Sequence, residues 1–251
     1  MGLETGDFVA DFLIPGFKQL QRELGPDYPR ILVILGNDDP RSLEADFAAA
    51  ERAGLWEYIH GRKVALGKLA VFGYSFVPPT PFMLKDWEKY DVSRFVDPGC
   101  VSPEDGRRTV RVPSRDIRYA TIARDLAGLT ADEDLGNAIF LFHTPPYGCC
   151  LDRAALDNKM VDHVPVDPHV GSIAVQRFIA ARQPLLTLHG HVHEAVRLTR
   201  TWRETFGATT ALTAAHDGAE LALVRFDPAA LTEASRELIP VDPDSQRSAG
   251  E

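Results

Sequence analysis

The stretch Leu185-Leu186-Thr187-Leu188-His189-Gly190-His191-Val192-His193-Glu194 decides the fold class of this chain. The apolar run at its start is typical of a buried strand, and the glycine that follows allows the backbone to turn sharply. His191 and His193 are two residues apart, so in extended backbone their imidazoles share one face. Neutral imidazole is the commonest metal ligand, and such a pair can serve one ion or two adjacent ions. The alternative is a histidine-rich loop that holds no metal.

Two further apolar runs end in the same way, each with polar residues directly after it. Residues 31–35 lead into Gly36-Asn37-Asp38-Asp39-Pro40, and residues 138–142 lead into His143. Continuous apolar runs are expected of strands that are covered on both faces. Side chains just past such strands occupy the usual place for a site in an open α/β sheet. Asn, Asp and Pro also favour turns, so residues 36–40 fit an ordinary strand-to-helix connection as well.

The ends of the three predicted strands provide one set of candidate ligands. If the strands are neighbours, Asn37, His143, His191 and His193 converge at the carboxyl edge of the sheet. Oxygen and nitrogen donors of this kind suit Mn, Fe, Zn, Co or Ni rather than Ca or Mg. No cysteine lies at ligand spacing.

Length and composition set the broad class of the protein. The chain has 251 residues, of which 45% are hydrophobic, which fits one α/β domain over residues 1–239, with two small domains as the alternative. Residues 240–251 are polar and are expected to form a disordered tail. A net charge of −9 argues against a general nucleic-acid binder. The apolar runs are too short to span a bilayer, and three cysteines imply no disulfide framework, so we expect a cytoplasmic protein.

Hydrophobic spacing and capping residues predict the elements between these strands. The first is a helix over residues 7–24 that breaks or kinks at Pro15-Gly16. Two further helices follow, one that ends at residue 53 with Ser42 as its N-cap and one over residues 115–126 with Ser114 as its N-cap. An antiparallel meander is predicted over residues 56–76, and later strands at residues 195–199, 209–213 and 220–226.

The ordered set of motifs resembles a known family. Gly36-Asn37-Asp38-Asp39, a strand that ends in His143, and Gly190-His191-Val192-His193 resemble the second half of the calcineurin-like metallophosphoesterase signature. That family carries, in order, Asp-x-His, Gly-Asp, Gly-Asn-His-Asp/Glu, a lone His and Gly-His-x-His. The resemblance covers residues 31–226 and implies an α/β fold, a metallophosphoesterase-like β-sandwich flanked by helices with the site at the carboxyl ends of its strands. It also implies a metal-dependent hydrolase of phosphate monoesters or diesters that uses a metal-activated hydroxide.

The resemblance also implies a ligand set. Asn37, His143 and His191 would hold one of two divalent transition-metal ions, and His193 would belong to the other. The family's first motif, Asp-x-His, is not found before Asn37, so the first β-α-β unit is expected to be missing and the chain to hold one ion or two. Gly6-Asp7 offers a candidate for the aspartate that bridges both ions. Alternatively, Asp7 opens the helix that follows, where a carboxylate interacts favourably with the helix dipole.

A second departure concerns the catalytic residues, for which Asn37 and Asp38 are the candidates. Asp38 stands where many catalytic members of the family have a histidine that protonates the leaving oxygen. An aspartate beside cations stays ionised and is a poor general acid near neutral pH. Arg41 and His189 are candidates for substrate contact, but Arg41 also fits an ordinary surface charge and His189 a support for the turn.

These departures leave three functions open. The first is the phosphoesterase, with a small phosphate ester as substrate and neither a nucleic acid nor a membrane as partner. The second is a catalytically weak or inactive member of the fold that serves as a binding scaffold. The third is a mononuclear metal hydrolase of unrelated type. An unpaired sheet edge, left by the missing first unit, would favour a homo-oligomer.

Overall fold

A computed structural model describes residues 8–131 and 133–240 of the chain. Asp7, and residues 241–251 of the predicted tail, therefore lie outside the described residues. Within them, a central six-stranded sheet is flanked by helices, which confirms the mixed α/β class. No helix in the described ranges combines the length and the apolar character needed to cross a membrane.

The regular elements of this part of the chain follow in chain order. The strands are β1 (Leu32–Val33), β2 (Glu57–Tyr58), β3 (Lys63–Leu66), β4 (Leu69–Tyr74), β5 (Ala138–Phe142), β6 (Met160–Val161), β7 (Val164–Pro165), β8 (Leu186–His189), β9 (Arg203–Phe206), β10 (Thr209–Thr213), β11 (Leu221–Arg225) and β12 (Ser235–Ile239). The helices are α1 (Ile14–Leu24), α2 (Glu44–Arg52), α3 (Ser114–Tyr119), α4 (Ile122–Thr130), α5 (Ile173–Arg182) and α6 (Ala195–Thr199). A π-helical segment, Phe8–Leu13, precedes α1.

The central sheet has the strand order β3-β4-β5-β8-β10-β9. Its four inner strands are parallel, and β3 and β9 add antiparallel edges. The carboxyl ends of β4, β5 and β8 therefore lie side by side at one edge of the sheet. The parallel pair β1-β2 and the antiparallel hairpins β6-β7 and β11-β12 form separate two-stranded sheets.

Both faces of the central sheet are covered, which explains the continuous apolar runs of its inner strands. On one face, Phe72 stacks on Phe140 with ring centroids 4.7 Å apart, and Phe178 of α5 packs edge-on against Phe140 at 5.0 Å. On the other face, Ile139 and Leu186 belong to a cluster that also includes side chains from β1 and β11. Successive residues of each strand thus contact two different layers.

The three predicted strands are present, although the first is shorter than expected. The run at residues 31–35 forms only the two-residue β1, which pairs with β2 and with no other strand among the described residues. The strands expected at residues 138–142 and 185–188 correspond to β5 and β8. The predicted parallel arrangement at the carboxyl edge is therefore confirmed for β5 and β8.

Four local predictions were wrong, each for a local reason. Residues 195–199 form α6 rather than a strand, because Ala195 is buried in a small apolar cluster with Val192. Ser42 lies inside a short 3-10 turn, so it does not cap α2 with its side chain. Extended backbone at Ala120 divides the helix predicted at residues 115–126 into α3 and α4. The predicted antiparallel meander holds for β3 and β4, whereas β2 runs parallel to β1.

The amino-terminal helical region changes from a π-helical segment to an α-helix next to Pro15, close to the predicted break at Pro15-Gly16. Pro15 lies in the first turn of α1, where backbone N–H groups have no partner within the helix. The missing N–H of proline therefore costs nothing there, and Pro15 stands at the start of the α-helix after the π-helical segment. Gly25, with φ of 51°, ends the helix as expected.

The long connection between β4 and α3 contains an ion pair that is fully buried. Lys85 Nζ donates to Glu88 Oε2 at 2.5 Å, and both side chains have no exposed surface. Thr80 completes the cluster, because its hydroxyl and its backbone N–H both donate to Glu88. Burial nevertheless raises the pKa of the Glu88 carboxyl. This cluster ties together residues 80–88 within the connection.

Candidate functional site

Three of the predicted site residues lie together, with two histidines in contact with one oxygen atom of Asn37. His143 Nε2 and His191 Nδ1 lie 2.7 and 2.8 Å from Asn37 Oδ1, which accepts a hydrogen bond from each ring. The two imidazole rings pack edge to face with centroids 5.2 Å apart. Residues separated by 106 and 154 positions in the sequence are thus brought together, and we call this cluster the Asn37 centre.

The backbone around the Asn37 centre explains why the motifs carry glycines. A Cβ at Gly36 would lie 2.7 Å from Cε1 of His143. Only glycine therefore allows the histidine ring to pack against the backbone that follows β1. The backbone N–H of Gly190 donates to the carbonyl of His143, and the N–H of His143 donates to Tyr74, both at 3.0 Å. These bonds tie together the ends of three neighbouring strands.

His191 has an unusual backbone conformation. Its φ of 69° lies in the left-handed region, which residues with a Cβ rarely adopt. Such strain persists when surrounding structure enforces it, and it is concentrated at functional sites. Here it directs the ring of His191 towards Asn37.

Both imidazoles of the Asn37 centre are held in the neutral form. Burial, followed by the neighbouring His191 and His193, lowers the pKa of His143 to about 3. Burial, followed by His193, lowers the pKa of His191 to about 4. Neutral imidazoles are the form that can donate a lone pair to a cation.

The other residues of the two motifs surround the centre. His193 is exposed and makes no hydrogen bond within the described residues, although it is near enough to act electrostatically on both histidines. Asp38 is exposed, and its Oδ1 accepts a hydrogen bond of 3.2 Å from the amide of Asn37. Asp39 accepts from the N–H of Gly36 at 2.7 Å and thereby closes the turn, as its sequence position suggested.

The two residues predicted to contact substrate lie in other environments. His189 is buried; its Nδ1 lies 3.0 Å from the carbonyl of Thr144 and its Nε2 lies 2.8 Å from the hydroxyl of Thr187. Both of its nitrogens are therefore occupied, which fits a support for the turn and leaves none for a substrate. Arg41 Nε donates to Glu44 at 2.7 Å, and its guanidinium lies 5.3 Å from the ring of Trp87.

The donor chemistry of the Asn37 centre fits a cation only in part. Among residues 8–131 and 133–240, no three His, Cys, Asp or Glu side chains are grouped so that they could hold a metal ion. The centre instead offers two imidazole nitrogens and one amide oxygen. Tetrahedral ligands at about 2.1 Å from a shared ion lie about 3.4 Å apart, so a bound ion would require the donors, now 2.7 and 2.8 Å apart, to move outward. The ring protons that face Oδ1 would also have to move to the other ring nitrogens.

A second buried polar cluster follows β5, and sequence reasoning did not identify it. The carboxylate of Asp152 has no exposed surface and accepts hydrogen bonds from the N–H groups of Gly148, Cys149 and Gly171. His169 Nδ1 contributes a fourth contact at 2.7 Å. We call this group the Asp152 cluster. Its members are 23 residues or fewer apart, but they match no local motif.

A cavity of about 790 Å³ was also not predicted from the sequence. Its walls include Arg41, His60, Lys89, Arg108 and Arg124, and we call it the arginine cavity. These five residues are each at least 16 positions apart in the chain, so no sequence pattern joins them.

Comparison with known proteins supports the fold. No protein-family model and no curated protein sequence matches this chain. One solved crystal structure, 17% identical, matches with a TM-score of 0.54 over 92% of this chain and 74% of its own chain, and therefore has a related fold. A second, described as a "putative 5'-nucleotidase" from Staphylococcus aureus in complex with alpha-ketoglutarate, is 15% identical with a TM-score of 0.42. The match covers 96% of this chain but only 45% of that protein.

Proposed function

We propose that this protein is a metal-dependent hydrolase of phosphate esters whose active site is the Asn37 centre. The observation that carries this proposal is the convergence of His143 and His191 on Asn37 Oδ1 at 2.7 and 2.8 Å. The related fold supports a site at this edge of the sheet, where strands of α/β proteins commonly present their catalytic residues.

The residues of the centre would hold one divalent transition-metal ion. Asn37, His143 and His191 supply the donors, and His193 is free to take part in binding a second ion. When bound, such an ion supplies positive charge for the phosphate oxygens and lowers the pKa of an attacking water. The lowered pKa values of both buried imidazoles keep their lone pairs available over the whole neutral range.

Asp38 determines which esters this chain can cleave well. Its carboxyl is exposed and lies beside Asn37, so it reaches the mouth of the centre. As a carboxylate it lacks the proton that a poor leaving group needs at neutral pH. We therefore expect aryl phosphates, whose leaving groups need little protonation, to be hydrolysed faster than alkyl phosphates.

One observation favours a second function, a scaffold without catalysis. Asn37 Oδ1 is already satisfied by two imidazole N–H groups, so the centre is stable in this arrangement without any ion. A protein of this kind would keep the fold and use its surface for binding.

Metal content and phosphatase activity distinguish these functions. The full chain is loaded with Mn, Fe, Zn, Co or Ni in turn, the bound metal per chain is measured, and hydrolysis of p-nitrophenyl phosphate and bis-p-nitrophenyl phosphate is followed. We expect at least one ion per chain, with turnover that His191→Ala abolishes. His163→Asn is the matched control, because His163 is exposed and its side chain forms no hydrogen bond or salt bridge among the described residues. No bound metal and no turnover under any loading would support the scaffold.

A further inference from the structure

The arginine cavity adjoins the Asn37 centre but does not include it. Tyr74, which lines the cavity, accepts a backbone hydrogen bond of 3.0 Å from His143. Arg41 follows Asn37 by four residues, so their Cα atoms are at most about 14 Å apart. The cavity therefore lies at the same carboxyl edge of the sheet, beside the end of β4.

The charges of the cavity walls are not fully paired. Lys89 donates to Asp125 at 2.5 Å, and the buried Lys85 is paired with Glu88. Arg108 and Arg124, in contrast, form no salt bridge among the described residues, although Asp86 and Glu88 act on Arg108 electrostatically. Arg108 donates to the carbonyl of Pro103, and Arg124 to that of Tyr119. Four carboxylates also line the cavity: Glu88 and Asp125 are paired with the lysines, Asp86 accepts from the backbone N–H groups of Arg41 and Thr109, and Asp116 is exposed. The two guanidinium groups thus line the cavity with hydrogen bonds to carbonyls only, in a chain of net charge −9.

His60 adds an unpaired donor to the same walls. The backbone N–H of Ser75 donates to its Nδ1 at 3.0 Å, which places the ring proton on Nε2. Nε2 has no hydrogen-bond partner in the part of the chain that the structure describes. Burial, followed by the nearby Arg41 and Lys89, lowers the pKa of His60 to about 3, so the ring is neutral at physiological pH. His60 is only partly buried and lines the cavity, so this N–H is available to an acceptor there.

We propose that the arginine cavity is a binding site for a small organic anion, which Arg108, Arg124 and His60 hold by its phosphate or carboxylate group. Guanidinium groups match the geometry of both groups and can bind them in a bidentate manner. A volume of about 790 Å³ falls within the usual range for small-molecule sites. Phe76, Ile117 and Leu129 provide apolar wall for the organic part of the ligand. This site requires no metal and goes beyond the proposed hydrolase function.

Calorimetric titration of the chelator-treated full chain tests this site. The probes are phenyl phosphate and benzoate, with benzyl alcohol as the uncharged control. Removal of metal ensures that the Asn37 centre does not bind the phosphate through a cation. We expect at least one of the two anions to bind and the alcohol not to bind. Comparison of the two anions tells which group the cavity prefers.

Variants locate the binding. Arg108→Gln and Arg124→Gln should each weaken the Kd about tenfold or more, because each removes a charge-assisted contact. Arg107→Gln is the matched control, since Arg107 is the exposed neighbour of Arg108 and is absent from the cavity walls; its Kd should stay within about twofold. Circular dichroism confirms that each variant is folded.

Two results would overturn the proposal. One is the absence of binding for both anions at millimolar concentration. The other is binding that persists unchanged in Arg108→Gln and Arg124→Gln, or that His191→Ala removes. Absence of binding does not bear on the hydrolase function, which is measured on the metal-loaded chain with p-nitrophenyl phosphates. Loss of binding in His191→Ala would instead place the anion at the Asn37 centre.

Discussion

The Asp152 cluster and the Asn37 centre are both buried polar groups that follow the same edge of the sheet, yet they are built in opposite ways. Asp152 carries a charge that four N–H donors satisfy. The Asn37 centre holds three neutral groups, in which one amide oxygen accepts from two imidazole N–H groups. The first arrangement is complete and serves the fold. In the second, each neutral imidazole keeps a lone pair on its other nitrogen and can rearrange around a positive charge, which is why we assign the centre to function.

The largest effect should follow from removal of the shared oxygen. We expect Asn37→Ala to lower kcat/KM for p-nitrophenyl phosphate about 10³-fold, equivalent to about 4 kcal/mol, because both a donor and the orientation of two histidines are lost. Asn137→Ala is the matched control, since Asn137 is an exposed asparagine before β5. Full activity of Asn37→Ala would exclude the centre as the active site.

Loss of the carboxylate at the Asp152 cluster should lower the stability of the protein rather than its activity. Asp152→Asn replaces an accepting oxygen by an amide NH₂ that faces N–H donors, and we expect the free energy of unfolding to fall by about 3 kcal/mol in urea titrations. Asp157→Asn serves as control, because Asp157 is 61% exposed and contacts only Arg153. A stability loss as small as that of the control would mean that the cluster is not structural.

Acid should destabilise the metal-free protein through the neutral histidines of the Asn37 centre. Above pH 6.5 the rings are neutral in both states, so they add no pH dependence. Below pH 6.5 the unfolded chain binds protons that His143 and His191, with folded pKa values of about 3 and 4, do not bind. Between pH 6.5 and 5 this costs about 2 kcal/mol per imidazole. Urea titrations at pH 6.5 and pH 5 should show a smaller loss of unfolding free energy for His191→Gln than for the unmodified protein. Equal losses in the two proteins would contradict the lowered pKa of His191.

The smallest expected effect concerns the leaving group. Asp38→His introduces an imidazole that can donate a proton near neutral pH, at an exposed position beside Asn37. We expect hydrolysis of alkyl phosphates to increase about tenfold, with less change for aryl phosphates. Asp39→Asn does not restore a proton donor and should give no such selective gain. Equal changes for both substrate types would show that residue 38 does not act on the leaving oxygen.

The sequence predicted the centre of the fold better than its periphery. Residues 138–142 are a continuous apolar run and residues 185–188 are interrupted only by Thr187; such short runs are typical of buried strands, and both were found. Residues 195–199 alternate like a strand, but the burial of Ala195 outweighs that pattern.

The Asn37 centre was likewise predictable from the sequence, whereas the arginine cavity was not. Asn37, His143 and His191 were found because each ends a strand within a short motif. The arginine cavity was not, because Arg108 and Arg124 acquire their shared role only through the packing of distant segments. His60 had no ligand-like neighbours in the sequence, and its unpaired Nε2 is visible only in three dimensions.

The buried pair of Lys85 and Glu88 has a consequence for chemical labelling. An acylating reagent can reach an amine only from solvent, and Lys85 has none of its surface exposed, whereas Lys63 and Lys89 are partly exposed. In a time course read by mass spectrometry, Lys63 should be modified early and Lys85 only when the connection between β4 and α3 opens. Lys85 is thus a built-in reporter of that opening, and its rate of modification measures how often this part of the molecule comes apart under native conditions.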